Sequence, residues 1–159
     1  MVKHINLTQG KETIIDDEDY PLVCNFTWRA ANSRGLFYAR THLPNYGGSV
    51  LLHRLILNAP KDMSVDHINH DTLDNRKVNL RLCTIQENQR NQKIRVGTSS
   101  KFKGVSWDRR LGRWQVSLRS SGKSVYLGVY INEVEAALAY NKAAQQYFGA
   151  FACLNSVSP

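Results

Sequence analysis

Scarcity marks this 159-residue chain first. It has three cysteines, Cys24, Cys83 and Cys153, far apart and in no CxxC pair. So few scattered thiols argue against a disulfide framework, and the missing pairs argue against a zinc ribbon or finger. No apolar run approaches the ~20 residues of a membrane helix. The start, Met1-Val2-Lys3-His4-Ile5-Asn6, lacks the apolar stretch of a signal peptide. A reduced, cytoplasmic protein away from membranes is the expectation. Acidic residues are also scarce, with 13 Asp or Glu against 21 Lys or Arg, for a formal net charge of +8. That excess favours a polyanionic partner, nucleic acid before others. Hydrophobic residues still make up 42%, enough to bury cores and to exclude a broadly disordered chain.

Composition separates regions along the chain. Residues 1–50 read as short strands: Ile5-Asn6-Leu7 and Thr13-Ile14-Ile15 flank a Gln9-Gly10-Lys11 turn, and Thr27 to Ala30 and Leu36 to Ala39 flank Asn32-Ser33-Arg34-Gly35. The acidic run Asp16-Asp17-Glu18-Asp19 reads as a solvated loop or helix start without function. Residues 51–95 are rich in Asn and His. Leu51 to Leu57 forms a short apolar helix stopped by Asn58-Ala59-Pro60. Asn69 to Asn79 is too polar for a core face and reads as an ordered loop. Thr84-Ile85-Gln86-Glu87 is a capping box, so a helix should start at Ile85 and run towards Lys93. Residues 96–100 form a small-residue linker with basic flanks. In 101–159, three strands near Lys103–Trp107, Arg113–Arg119 and Val125–Tyr130 precede a helix from Glu133. Its buried stripe should hold Ala136, Ala137, Tyr140, Ala143, Ala144 and Tyr147, with Gly149 as the stop.

Phosphodiester hydrolysis needs a base for water and a hard cation to neutralise phosphoryl and leaving oxygens. Histidine suits the first near neutral pH, and oxygen ligands suit Mg²⁺. Val65-Asp66-His67-Ile68-Asn69 offers both, with Asn79 twelve residues after His67 and Asn88 nine beyond. Strand alternation would send Asp66 and His67 to opposite sides unless the strand ends there. His53 reads as a packed histidine, His70 as a solvated loop residue, Asn75 as a loop brace, and Asn91 as a helix-surface or supporting residue.

These spacings, together with His53-Arg54-Leu55-Ile56 and Leu73 to Arg81, resemble the HNH or ββα-metal nuclease family, and within it the homing and nicking endonucleases of bacteriophages. The N-terminal region, with Asp16 to Tyr20 and Trp28-Arg29-Ala30, resembles the segment preceding this motif in such proteins. The resemblance implies that His67 is the general base and that Asp66 and Asn88 hold one divalent ion, Mg²⁺ or Mn²⁺. It also implies that Asn79 braces the loop and orients His67. Asn88 stands where many members carry His, which suits an oxygen-preferring ion better than zinc. No cysteine-bound structural zinc is expected.

The C-terminal pattern carries its own reading. On the strand Arg113–Arg119, Arg113, Gln115, Ser117 and Arg119 face one way, while Trp114, Val116 and Leu118 face the Ala-rich helix. The polar face is left open and basic, flanked by Lys103, Arg109, Arg110 and Lys123, and such a sheet can enter a DNA major groove. Lys103-Gly104-Val105, Gly112-Arg113-Trp114, Tyr126-Leu127-Gly128, Glu135 to Tyr140 and Leu154-Asn155 resemble the plant apetala-two (ethylene-response-factor) DNA-binding domain. By position, Lys103, Ser106, Asp108, Arg113, Ser117, Arg119, Ser124 and Tyr126 should lie on the reading face. Ser106, Asp108 and Ser124 replace plant arginines, so the plant target does not transfer.

The expectation is an α+β chain: a ββα-metal nuclease domain with a strand-rich extension, plus a three-stranded antiparallel sheet packed on one helix. Its partner would be double-stranded DNA, its favoured state a monomer, and its activity metal-dependent nicking or cleavage. The rival is a DNA-binding regulator that keeps the nuclease fold only as scaffold.

Overall fold

The structure is a computed structural model that describes residues 1–94 and 97–157; of the linker expected over 96–100, Val96 lies outside the described residues. The chain divides into two compact units, Met1–Asn88 and Gln89–Pro159. The fold is mixed α and β, with small antiparallel sheets and few helices.

In the first unit, β1 (Val2–Asn6) and β2 (Glu12–Asp16) form a hairpin. A short helix, α1 (Tyr20–Val23), leads to a second antiparallel sheet of β3 (Arg29–Ser33), β4 (Leu36–Leu43) and β5 (Gly48–Leu51). Then come α2 (Leu52–Ile56) and a hairpin of β6 (Ser64–His67) with β7 (Leu80–Cys83). Helix α3 (Ile85–Asn91) follows after one residue, its residues from Gln89 on belonging to the second unit. Strand alternation sends Ala39, Thr41 and Leu43 of β4 inward, while Arg40 and His42 face water. Ala39 and Leu43 join Ile15, Val23, Trp28, Leu52, Leu55, Val65 and Leu80 in one core. The strand-rich extension and the motif region therefore share a hydrophobic interior. Trp28 lies just before β3 and donates its indole N–H to the Val23 carbonyl at 3.0 Å.

The loop between β6 and β7 carries little apolar surface, and hydrogen bonds hold it instead. Ile14 N–H donates to Leu73 O at 3.0 Å, and Asn75 N–H donates to Ile14 O at 2.8 Å, so the loop runs along the edge of β2. The acidic run is more than a solvated turn. Asp16 Oδ2 accepts the Lys77 backbone N–H, and Glu18 Oε1 and Asp19 Oδ1 accept from Lys77 Nζ, all at 2.8 Å. Thr84 and Glu87 form the expected capping box: Thr84 N–H donates to Glu87 Oε2 at 2.8 Å, and Glu87 N–H donates to Thr84 Oγ1 at 3.2 Å.

The second unit holds β8 (Val105–Asp108), β9 (Arg113–Ser120) and β10 (Lys123–Tyr130), with β9 central, packed on α4 (Glu133–Phe148). Asn132 caps α4, its Oδ1 accepting from Val134 N at 2.7 Å. Val105, Val116 and Leu118 bury against Ala136, Ala137, Tyr140, Ala143 and Ala144. The stripe ends on Phe148, which is buried, rather than on Tyr147, which is 48% exposed. The i+4 step from Ala144 carries the packed face to Phe148.

Gly104 sits where α4 meets the sheet. Its φ is +75°, and a Cβ there would lie 2.1 Å from the Tyr140 ring and 2.8 Å from the Ser117 carbonyl. Gly104 O in turn accepts the Ser117 N–H at 2.9 Å. Gly104→Ala should destabilise the second unit by about 2–5 kcal/mol, combining left-handed strain with overpacking. Denaturant unfolding of the full chain, followed by far-UV circular dichroism, reads the loss; a parent-like curve would contradict this packing.

Candidate active site and nucleic-acid interface

Strand β6 ends at His67, and Val65, Asp66 and His67 are all buried. Asp66 pairs across the hairpin with Arg81. Arg81 donates from Nε at 2.8 Å and from Nη2 at 2.6 Å, both to Asp66 Oδ2. A buried carboxylate needs such partners, because an isolated charge in this environment is costly. The pairing of Asp66 with Arg81 was not read from the sequence. The two residues lie 15 apart, and only the hairpin register places them opposite each other.

His67 lies among rings. His53 of α2 meets it edge-on, with centroids 5.0 Å apart and planes at 89°. Tyr38 of β4 approaches at 6.3 Å. His67 Nε2 is 3.2 Å from Asn75 Oδ1. Burial lowers the His67 pKa, while Asn75 and nearby carboxylates work against that shift. The net direction favours the neutral ring, the form that can accept a proton. His53 is pushed further, down to about 3, by burial and then by His67 and Arg54.

Asn79 holds the loop rather than the His67 ring. Its Oδ1 accepts the Asn69 N–H at 2.9 Å, and its Nδ2 donates to Asp74 O at 2.8 Å. Its backbone carbonyl accepts the N–H of Ile68, next to His67, at 2.9 Å. Asn75, which is 1% exposed, does reach the imidazole with its side chain. Asp74 completes the brace, accepting from Arg76 Nε and Nη2 at 2.7 Å and from Asn69 Nδ2 at 3.0 Å. The Arg76 guanidinium holds the Asp74 carboxyl below its usual pKa.

Asn88 sits in the first turn of α3, half-buried, with its N–H donating to Thr84 O at 3.0 Å. Cys83 relates it to Asp66: burial, then the Asp66 charge, pushes the thiol up to about 11, while the Asn88 backbone N–H pulls the other way. A carboxylate and an amide oxygen form a hard donor set, which suits a small divalent ion that keeps several waters. Arg81 competes for that carboxylate. Among the described residues no three His, Cys, Asp or Glu side chains gather as a metal cluster. His70 adopts φ +67° and donates its N–H to His67 O at 3.0 Å. Asn91 is buried, not on the helix surface.

In the second unit, cross-strand register aligns Ser106 with Gln115, Asp108 with Arg113, Ser117 with Tyr126 and Arg119 with Ser124. These residues share the face away from α4. Arg113 and Arg119 are exposed, and Tyr126 is 60% exposed. Asp108 turns its carboxylate into the bend, accepting from Arg110 N at 2.8 Å and Leu111 N at 3.1 Å, which leaves Arg109 and Arg110 exposed at the turn. Lys103 is not on this face. It precedes β8, and its ammonium donates to the Arg90 and Gln92 carbonyls at 2.5 Å. Lys123 aligns with Ser120, in register with the helix side. Trp114 packs only partly against the core and meets Trp107 edge-on, with centroids 4.9 Å apart.

Comparisons with known proteins bear on this geometry. A model described as HNH endonuclease matches residues 50–90, the stretch from β5 to α3. An uncharacterized HNH endonuclease of Acanthamoeba polyphaga mimivirus is 31% identical over 163 residues, covering 95% of this chain and 79% of its own. The chain belongs to the HNH endonuclease family. The chain is also similar over part of its length to an AP2-like ethylene-responsive transcription factor of Arabidopsis thaliana, 42% identical over 59 residues, 37% of this chain and 12% of the plant protein. Protein 3.8 of Escherichia phage T7 is 34% identical over 64 residues, 40% of this chain and 53% of its own. No described helix of this HNH-family chain is long and apolar enough to cross a membrane.

Buried His53 ties stability to pH. Its pKa is lowered in the fold, so between 6.5 and about 3 the unfolded chain binds a proton that the folded chain does not. Its contribution is present above 6.5 and lost as pH falls, by up to about 1.4 kcal/mol per pH unit. From pH 7 to 5, His53→Phe should lose about 2 kcal/mol less stability than the parent. Denaturant unfolding at the two pH values measures this, and equal losses would refute it.

Proposed function

We propose that this chain is a divalent-metal-dependent endonuclease that nicks or cleaves double-stranded DNA, a free-standing homing-type enzyme of phage character. The observation carrying the proposal is the buried His67 at the end of β6. Asn75 holds it at the end of a β-hairpin that runs through Thr84 into the capped helix bearing Asn88.

His67 takes a proton from water as the water oxygen attacks phosphorus in line. The P–O3′ bond breaks, and its electrons go to the leaving 3′-oxygen. Asp66 and Asn88 would hold Mg²⁺ or Mn²⁺, which would supply positive charge for the phosphoryl and leaving oxygens. Arg81 holds Asp66 in place through its two hydrogen bonds to Oδ2. Asn79 keeps the loop closed beneath the base. The exposed face of β8–β10 reads duplex DNA through Arg113, Gln115, Ser117, Arg119 and Tyr126, with Ser106 at its edge and Arg109 and Arg110 in the turn. Lys103 serves the fold of the second unit. The host cytoplasm, where a phage enzyme meets DNA, is the place of action.

A supercoiled-plasmid assay tests the reading. The parent should convert plasmid to nicked or linear form with Mg²⁺ or Mn²⁺ and stop with EDTA. His67→Ala should lose about 10²–10⁴-fold in rate while keeping its DNA affinity, and Asp66→Ala or Asn88→Ala should be inactive. A parent that binds DNA but leaves plasmid intact with either metal would instead be a DNA-binding regulator on a retained nuclease scaffold.

The reading face has a separate test in the full chain. Arg113→Ala or Arg119→Ala, at a phosphate contact, should lower the slope of log affinity against log salt by about one. At a base-edge contact either should cost about 1–3 kcal/mol at the preferred sequence. Parent-like binding by both variants at every salt concentration would exclude this face.

A further inference from the structure

Three buried side chains form a directed chain of hydrogen bonds that ends on the His67 ring. Thr13 Oγ1 is 2.6 Å from Leu73 O, a carbonyl that can only accept, so the threonine hydroxyl proton is committed there. Towards Asn75, 2.7 Å away, the same oxygen can then only accept. The atom facing it is therefore the Asn75 Nδ2 amide, which fixes an orientation that an isolated asparagine leaves open. Asn75 Oδ1 is consequently turned to His67 Nε2 at 3.2 Å. An amide oxygen carries no hydrogen, so Nε2 is the protonated nitrogen of the neutral ring and the lone pair lies on Nδ1.

The chain is well shielded: Thr13 and Asn75 are each 1% exposed and His67 is 6% exposed. Asn75 is also pinned through its backbone N–H to Ile14 O at 2.8 Å. Thr13 lies on β2, 62 residues before Asn75, so the N-terminal hairpin is part of the device.

We propose that Thr13 and Asn75 are positioning residues that hold His67 in the Nε2–H tautomer, so that Nδ1 is the atom that accepts the proton from water. The proposal rests on the general-base role given to His67 above. Neither residue needs to touch substrate. Outer partners that orient a metal-bound imidazole typically matter by about 10–10²-fold, and the same order is expected for this one.

The test uses the full chain, labelled with ¹⁵N-histidine, free of DNA and metal at about pH 8, where the ring is neutral. Two-bond ¹⁵N–¹H correlation spectra report which ring nitrogen is protonated, and loss of one signal set in His67→Ala assigns the residue. The parent should show the Nε2–H tautomer. Thr13→Val keeps the side-chain shape but removes the acceptor for Asn75. It should give a mixed tautomer and lower kcat by about 10–10²-fold, with KM for a duplex substrate little changed. Asn75→Ala should do the same or more. Thr13→Ser, which loses a buried methyl but keeps the hydroxyl, should retain the parent tautomer and kcat; a merely structural role would rank the two threonine variants the other way.

An Nδ1–H tautomer in the parent, or parent-like spectra and kcat in Thr13→Val, would overturn the proposal. Failure of the underlying reading looks different. His67→Ala would cleave like the parent while the tautomer still shifted in Thr13→Val, which would support the hydrogen-bond chain and remove His67 as the base.

Discussion

The docking of the polar loop 68–79 against the edge of β2 is the constraint on which the first unit depends. Asp74, Asn75 and Asn79 are buried there, while of the loop's apolar residues only Leu73 packs against the core and Ile68 and Val78 stay exposed. Each is tolerated because its polar atoms are matched: Asp74 by Arg76 and Asn69, Asn75 by Thr13 and His67, Asn79 by Asn69 N and Asp74 O. A network of this kind is strong when complete and costly when one member is missing, since the group left behind stays buried and unpaired. The geometry of His67 therefore inherits the rigidity of the whole loop, and the N-terminal hairpin acts as its support.

The second unit solves a different problem by a different means. An Ala-rich helix lets α4 approach the sheet closely enough that Gly104 must lack a side chain where Tyr140 crosses it. That packing uses up one side of β9 and leaves the alternate residues, Arg113, Gln115, Ser117 and Arg119, facing away. Unpaired positive charge is inexpensive in water, so an exposed sheet face can stay basic without the satisfying partners that the buried site requires. A buried polar network suits chemistry at one atom, and an open basic face suits a long polyanion.

The departures from the sequence reading share a cause. Asn75 and Asn79 look alike in sequence, two asparagines in one polar loop, and only the path of the loop along β2 decides which one reaches the imidazole. Lys103 looked like a strand-face lysine, yet it precedes β8 and turns its ammonium to helix-end carbonyls. The acidic run looked solvated because its partner, Lys77, is 59 residues from Glu18.

The sequence by itself determined what depends on short spacing. The capping box at Thr84, the β9 alternation, the helix start at Glu133 and its Gly149 stop are all local patterns. Backbone periodicity and hydrogen-bond reach fix such patterns within a few residues. Only tertiary structure decided the rest: Arg81 on Asp66, His53 and Tyr38 around His67, and Thr13 behind Asn75. Those contacts join strands, a helix and a loop from separate stretches of chain. Their pairing follows from strand register and from the shared burial of distant polar groups, and no spacing rule along one sequence encodes either.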